Sequence, residues 1–225
     1  MLRYFQEILP GAGTTLLLFI VVAVISIPLG FLVTLMAKSR VTPIRWFANA
    51  YIFVLRGTPL LLQVMFIYFG FPIIGHALSE WLHAPQIEEV MRLERFFAAC
   101  VGFTLNYAAY FAEIFRGGLL AIDKGQHEAS KVLGLSSFQT TVHVIIPQMI
   151  RVTLPSVTNE IITLVKDTSL LHAAVSVPEL LNLAQAAVNR DFTLTPLFIA
   201  AVMYLVIVFV LTVIFRQIEK RFRFQ

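Results

Sequence analysis

Residues 110–134 read YFAEIFRGGLLAIDKGQHEASKVLG, and Ile146-Pro147 follows twelve residues later. This polar segment is wedged between long apolar runs, and its helix signals are local. Asp123 with Gln126 has the spacing of a capping box, in which the Asp oxygen closes free amides of the first turn. Gly134 suits the left-handed position that ends a helix. Ser136 with Gln139 forms a second box that starts the next helix. Pro147 and Pro155 then bend or interrupt the return into apolar sequence. The segment therefore encodes helix, glycine corner, helix. On the first helix, small and apolar Ala129, Val132 and Leu133 stand beside charged Glu128 and Lys131. That is the make-up of a knob that docks into a groove on a partner; the plainer alternative is a solvated connector, though one longer than usual.

The surroundings say what is being connected. The chain has 225 residues, 58% hydrophobic and 13% charged, against about 25% charged in soluble domains. A helix needs about 20 apolar residues to cross the hydrocarbon. Five stretches qualify as spans: 14–37, 46–74 (broken by Arg56-Gly57-Thr58-Pro59), 96–115, a polar one at 152–175, and 196–215. The first continues as a full span rather than a cleavable leader. The expected fold is an all-α membrane protein, a single domain over 1–225, with the polar segment at about 116–147 between the third and fourth spans. Without the polar fourth span the charge asymmetry would fail at the tail.

Lys and Arg set the orientation. Lys38, Arg40, Arg45, Arg116, Lys124, Lys131, Arg216, Lys220, Arg221 and Arg223 fall on one side; Arg3, Arg92, Arg95 and Arg190 fall on the other. Ten against four places the 116–142 segment and the C-terminus in the cytoplasm and the N-terminus outside. Glu80, Glu88, Glu89 and Glu94 on the outer loop weigh little in this rule. Trp46 and Trp81 read as interfacial anchors, the basic tail as an orientation signal, and Cys100 as packing. The five histidines show no metal spacing.

Ionisable groups within the spans are costly, at least about 2.5 kcal/mol for a mid-bilayer carboxylate. Glu160 and Asp167 lie two helical turns apart with Thr163 between them, on one stripe, flanked by Asn159 and Lys166. Such a stripe faces protein or a wet cavity. It either lines a substrate path, where a carboxylate meets an ammonium group, or it braces the bundle, with Lys166 neutralising a carboxylate on a neighbouring helix. Gln63 and Asn106 have the same two readings. The break at Arg56, Gly57, Thr58 and Pro59 either frees carbonyls for a site or bends the helix into place.

The run Glu128-Ala129-Ser130, Gly134, Ile146-Pro147 resembles the EAA loop of ATP-binding-cassette importer permeases, whose pattern is Glu-Ala-Ala, three residues, Gly, nine residues, Ile, one residue, Leu-Pro. Ser130, Val144 and Ile146 are mild departures from it. Arg56-Gly57-Thr58-Pro59-Leu60 with Gln63, Lys166-Asp167-Thr168-Ser169-Leu170, and Glu113, Arg116, Gly117, Gly118, Gly125 and Gln126 are similar to the polar amino acid subgroup, the histidine-, glutamine- and arginine-type permeases. The resemblance covers nearly the whole chain. It implies that the EAA helix is a coupling helix seated in an ATPase subunit, with Gly125, Gln126, Glu128, Ala129, Ser130, Gly134 and Pro147 in the coupling segment. It implies two ATPase copies carrying ATP and Mg, a second permease copy or homologue, an extracytoplasmic amino-acid-binding protein, and a place in the bacterial inner membrane. The chain has no G-x-x-x-x-G-K-[ST] phosphate loop, so ATP belongs on another chain. Partners are then the amino acid, lipid and these subunits, with no nucleic acid. The competing reading is a stand-alone ion-coupled transporter or channel with Glu160 or Asp167 as the ion site; an intramembrane enzyme is disfavoured by the lack of H-E-x-x-H or a paired nucleophile.

Overall fold

A computed structural model describes residues 1–222; Arg223, counted above among the tail cations, lies outside the described residues. Among the described residues there are helices and no strands. Four helices are long and apolar enough to cross a membrane: α1 (Leu2–Ala37), α3 (Leu60–Leu82), α5 (Arg95–Ala121) and α9 (Thr195–Phe222). Between them lie α2 (Thr42–Gly57), α4 (Gln86–Met91), α6 (Lys124–Val132), α7 (Ile146–Asp167) and α8 (Leu180–Asp191).

The boundaries correct three expectations. The first helix starts at Leu2 and carries Pro10 and Pro28 inside it. The stretch expected as one broken span at 46–74 is two helices, α2 and α3, because Pro59 has no N–H to continue the ladder and Thr58 is extended at φ −121°. The polar stretch expected at 152–175 starts at Ile146 and ends at Asp167, where a 3₁₀ turn, Thr168–Leu170, takes over.

Helix α5 is the axis of the molecule. Its buried residues include Ala98, Ala99, Gly102, Ala108, Ala109 and Ala112. Small side chains let backbones approach closely where apolar surface alone gives no preference for protein over lipid. Helix α1 packs along it most extensively. At the crossing, a Cβ on Gly30 would lie 2.6 Å from Phe111 Cβ and 2.8 Å from Ala108 O. Thr34 Oγ1 then bridges the two helices, donating to Gly30 O at 2.9 Å and Ala112 O at 3.0 Å. Along α5, Phe103, Tyr107, Phe111 and Phe115 recur at helical spacing, with ring centroids 6.2–6.4 Å apart, and α7 also packs against α5. Helix α9 presents Phe198, Val202, Leu205, Phe209 and Val213 outward, an apolar surface suited to lipid.

The end of the molecule holding the N-terminus is closed by charge. Arg190 at the end of α8 binds Glu7 of α1 and its neighbour Asp191, both at 2.8 Å. The hydrogen bond from Arg190 holds the Asp191 carboxyl at about 2, below the ordinary carboxylate range. A depressed carboxyl favours the folded state above its unfolded pKa. This clasp is therefore intact at neutral pH and weakens only as pH falls from about 4 toward 2.

Candidate functional site

Two assemblies stand out, one at the polar elbow and one along α7. The elbow is built from backbone chemistry. Asp123 caps α6 by accepting from Gly125 N at 2.6 Å. The expected reciprocal bond from Gln126 is absent, which corrects the first capping box to a simple cap. Gln126 Oε1 instead accepts from Gln148 Nε2 at 3.0 Å, tying α6 to the start of α7. Gly134 has φ +75°, and Leu135 N and Gly134 N donate to Ser130 O and Lys131 O, each at 3.0 Å. This pair of bonds closes the helix in a Schellman turn. The second capping box is complete: Gln139 N donates to Ser136 Oγ at 3.2 Å and Ser136 N to Gln139 Oε1 at 2.9 Å.

The helix that starts at this box is interrupted ahead of Pro147. Ser137–Gln139 passes into a π-helical turn, Thr140–Ile145, which runs into α7 two residues before Pro147. Proline lacks the N–H for the α ladder and its ring meets the carbonyl four residues back; a wider turn with i→i+5 bonds relieves both. A second π turn, Phe66–Gly70, stands two residues before Pro72 in α3 in the same way. No periodicity signal marks such a turn, and proline alone does not place it, since Pro10, Pro28 and Pro155 lie within α-helix.

The elbow's outer surface is apolar. Val132 is 88% exposed, Leu133 78% and Phe138 74%, with Glu128 and Ala129 exposed beside them. Ser130 faces inward, buried, with Oγ donating to Gln126 O at 2.7 Å. A small residue there lets α6 lie flat on the π turn. Gly118 of α5 performs the same task nearby, since a Cβ on it would collide with Thr153 Cγ2 of α7. The elbow, the end of α5 and the start of α7 are thus packed against one another.

Along α7, Glu160, Thr163 and Asp167 are half-buried, and Asn159 and Lys166 are exposed. Asp167 Oδ2 accepts from Tyr107 OH of α5 at 2.7 Å. Thr163 Oγ1 turns back to Asn159 O at 3.1 Å. Glu160 makes no hydrogen bond or ion pair among the described residues, and Lys166 makes no ion pair among them. The stripe therefore divides into an anchored carboxylate and an open one.

The break between α2 and α3 lies beside the middle of α5. Gln63 Nε2 is within 2.8 Å of Leu55 O, 3.1 Å of Thr58 O and 2.7 Å of Thr58 Oγ1. Asn106 Nδ2 donates to Leu55 O and Gln63 Oε1, each at 3.0 Å. Both amides are buried. The carbonyls of Leu55 and Thr58 at the break are thus satisfied within the chain by Gln63 and Asn106, as a membrane interior favours. Gln63→Leu removes the bonds to Thr58 and the acceptor that buried Asn106 uses, leaving Leu55 O with Asn106 alone. The expected result is a loss of about 2 kcal/mol of stability, read as a lower thermal unfolding midpoint, and Gln63→Glu should be no milder, because its carboxylate has no donor to replace Nε2. Beyond the break, Arg56 sits 3.7 Å from Glu113 Oε1, with its guanidinium 5.4 Å from the Tyr110 ring centroid. Glu113 also pairs with Arg116. Gly57 has no neighbour where a Cβ would be.

One polar group escaped the sequence reading altogether. Glu179, 1% exposed, caps α8 by accepting from Leu181 N at 2.8 Å and Asn182 N at 2.6 Å, and takes a third bond from Tyr204 OH of α9 at 2.6 Å. Glutamate is an uncommon cap, so its position gave little warning.

Comparison with known proteins adds three findings. Residues 26–224 match the family model described as binding-protein-dependent transport system inner membrane component. The chain is 36% identical over 219 residues to a probable amino-acid ABC transporter permease protein, YckA, of Bacillus subtilis, covering 97% of this chain and 90% of that protein. It is 35% identical to the arginine transport system permease protein ArtQ of the same organism, covering 96% and 92%. Among solved structures, an amino acid ABC transporter crystallised with histidines is similar at a TM-score of 0.84 and 30% identity, over 98% of this chain and 96% of that one.

Proposed function

The chain belongs to the family of binding-protein-dependent transport system inner membrane components, and from that membership we propose that it is the permease subunit of an ATP-driven importer for polar or basic amino acids. A permease is the membrane component and not the catalyst; hydrolysis takes place on a separate subunit. The single observation that carries the reading is the elbow: a capped helix, glycine corner and π turn joined rigidly to α7, with an exposed apolar tip suited to a partner's groove.

In this reading the chain crosses five times, with the N-terminus outside. The fourth of these crossings is α7, whose 22 residues reach about 33 Å, enough for the hydrocarbon core. Its polar groups exclude it from the four apolar spans, and a second copy or a homologue covers them across a wet path. The elbow is then the cytoplasmic coupling helix. Two ATPase subunits hold ATP and Mg, and an external binding protein delivers the amino acid. Closure of the ATPases pushes α6, and α7 moves with it. Glu160, with Asn159, Thr163 and Asp167 around it, faces the amino acid's ammonium group. Names of the relatives, arginine for ArtQ and amino acid for YckA and the solved transporter, agree with that substrate class.

Reconstitution into vesicles tests the reading. Uptake should need the ATPase, the binding protein and internal ATP. Uptake by this chain alone, abolished by an uncoupler and indifferent to ATP, would instead establish the ion-coupled transporter.

A further inference from the structure

We propose that the corner between α1 and α2 is a binding site for an anionic phospholipid. Lys38, Arg40 and Arg45 stand within eight consecutive residues. All three are exposed, and among the described residues none makes a side-chain hydrogen bond or ion pair. Other arginines of the chain differ: Arg3, Arg92, Arg116 and Arg190 each pair with a carboxylate. The corner thus carries a local positive charge with no counter-ion.

What adjoins it is apolar. Ile44 is 41% exposed, Trp46 72% and Phe47 60%, and α2 buries only Ala48 and Ile52 against the bundle. The cations sit at the end of this face, where α1 leaves the apolar layer. A phospholipid has that shape and polarity, with a phosphate for the cations and acyl chains for the aromatic face. Charge decides the headgroup, because a zwitterionic lipid carries its own ammonium beside the phosphate and an anionic one does not. A second copy of this chain would bring the same cations and be repelled. The site rests on α1 and α3 crossing the bilayer, and not on which substrate is carried.

The chain has two tryptophans, Trp46 and Trp81, so Trp81→Phe leaves Trp46 as the sole reporter. The full-length chain is placed in vesicles of phosphatidylcholine containing either brominated phosphatidylglycerol or brominated phosphatidylcholine, and quenching is titrated. Each cation near an anionic surface favours binding about fivefold, so brominated phosphatidylglycerol should quench with at least about a tenfold preference. Arg40→Gln with Arg45→Gln should remove most of it, and Arg→Lys at both sites should keep it. Salt at 1 M, where screening shortens to about 3 Å, should lower it in the chain with all three cations intact, which guards against misinsertion of the double variant. Equal quenching by the two lipids, or a preference that survives both charge removal and salt, would overturn the site. So would quenching by neither, which would put another protein surface over the corner. A failed uptake assay with intact lipid preference would count against the transport reading alone.

Discussion

Gly134→Pro abolishes transport while the chain still inserts and folds. Gly134 holds φ at +75°, and its N–H donates to Lys131 O. Proline is fixed near −65° and has no N–H, so the corner loses its conformation and one of its two closing bonds, at about 3 kcal/mol or more. That corresponds to at least about a hundredfold loss of the native elbow relative to alternative conformations, at 1.36 kcal/mol per factor of ten. The spans lie elsewhere, and α1, α3, α5 and α9 keep their packing. The expected outcome is near-background uptake, an ATPase whose hydrolysis no longer responds to the binding protein, and normal permease yield in the membrane. Gly134→Ala keeps the N–H and meets only the left-handed penalty of about 1–2 kcal/mol, so it should fall between the two. A proline variant with wild-type uptake would remove the elbow from the coupling path.

Glu160→Gln is the second large effect. Asp167 is held by Tyr107, whereas Glu160 lies half-buried on the same stripe without a bond of its own. An open carboxylate on that surface is the group available to a substrate ammonium. Losing a charge-assisted hydrogen bond costs about 1.5–3 kcal/mol, roughly ten- to a hundredfold in uptake of a cationic amino acid. Neutral amino acids should change much less, since glutamine keeps the shape and one acceptor oxygen. Competition assays with arginine, histidine and glutamine would measure the split. Equal losses for all three would assign Glu160 to bundle structure. Asp167→Asn should differ in kind, lowering thermal stability through the Tyr107 contact more than it alters selectivity.

Much of this was legible in the residues, for physical reasons. The elbow was readable because capping is local: Ser136 and Gln139 meet in the expected box, and Gly134 takes the expected left-handed turn. The apolar helices were readable because length and hydropathy suffice. Their ends were less so, since α1 runs on as helix through Arg3, Gln6, Glu7 and Pro10, which hydropathy leaves out of a span. The Gln126 half of the first box failed because Gln148, twenty-two positions away, competes for the same side chain. Gln63 and Asn106 show the same limit. Their residue types announce a polar role inside the bilayer, but only the fold brings them to the carbonyls of Leu55 and Thr58. Asp167 and Glu160 looked equivalent in sequence and are separated by one tyrosine sixty residues distant from Asp167.

The division of labour, with the elbow receiving force and α7 meeting the cargo, turns on what covers Val132, Leu133 and Phe138. A photo-reactive amino acid at Leu133, which is 78% exposed, tests this in native membranes. After illumination, the account predicts an adduct between this chain and its ATP-binding subunit, strong in the assembled transporter and weakened by Gly134→Pro. An adduct to lipid or to an extracytoplasmic protein, with none to an ATPase, would contradict it.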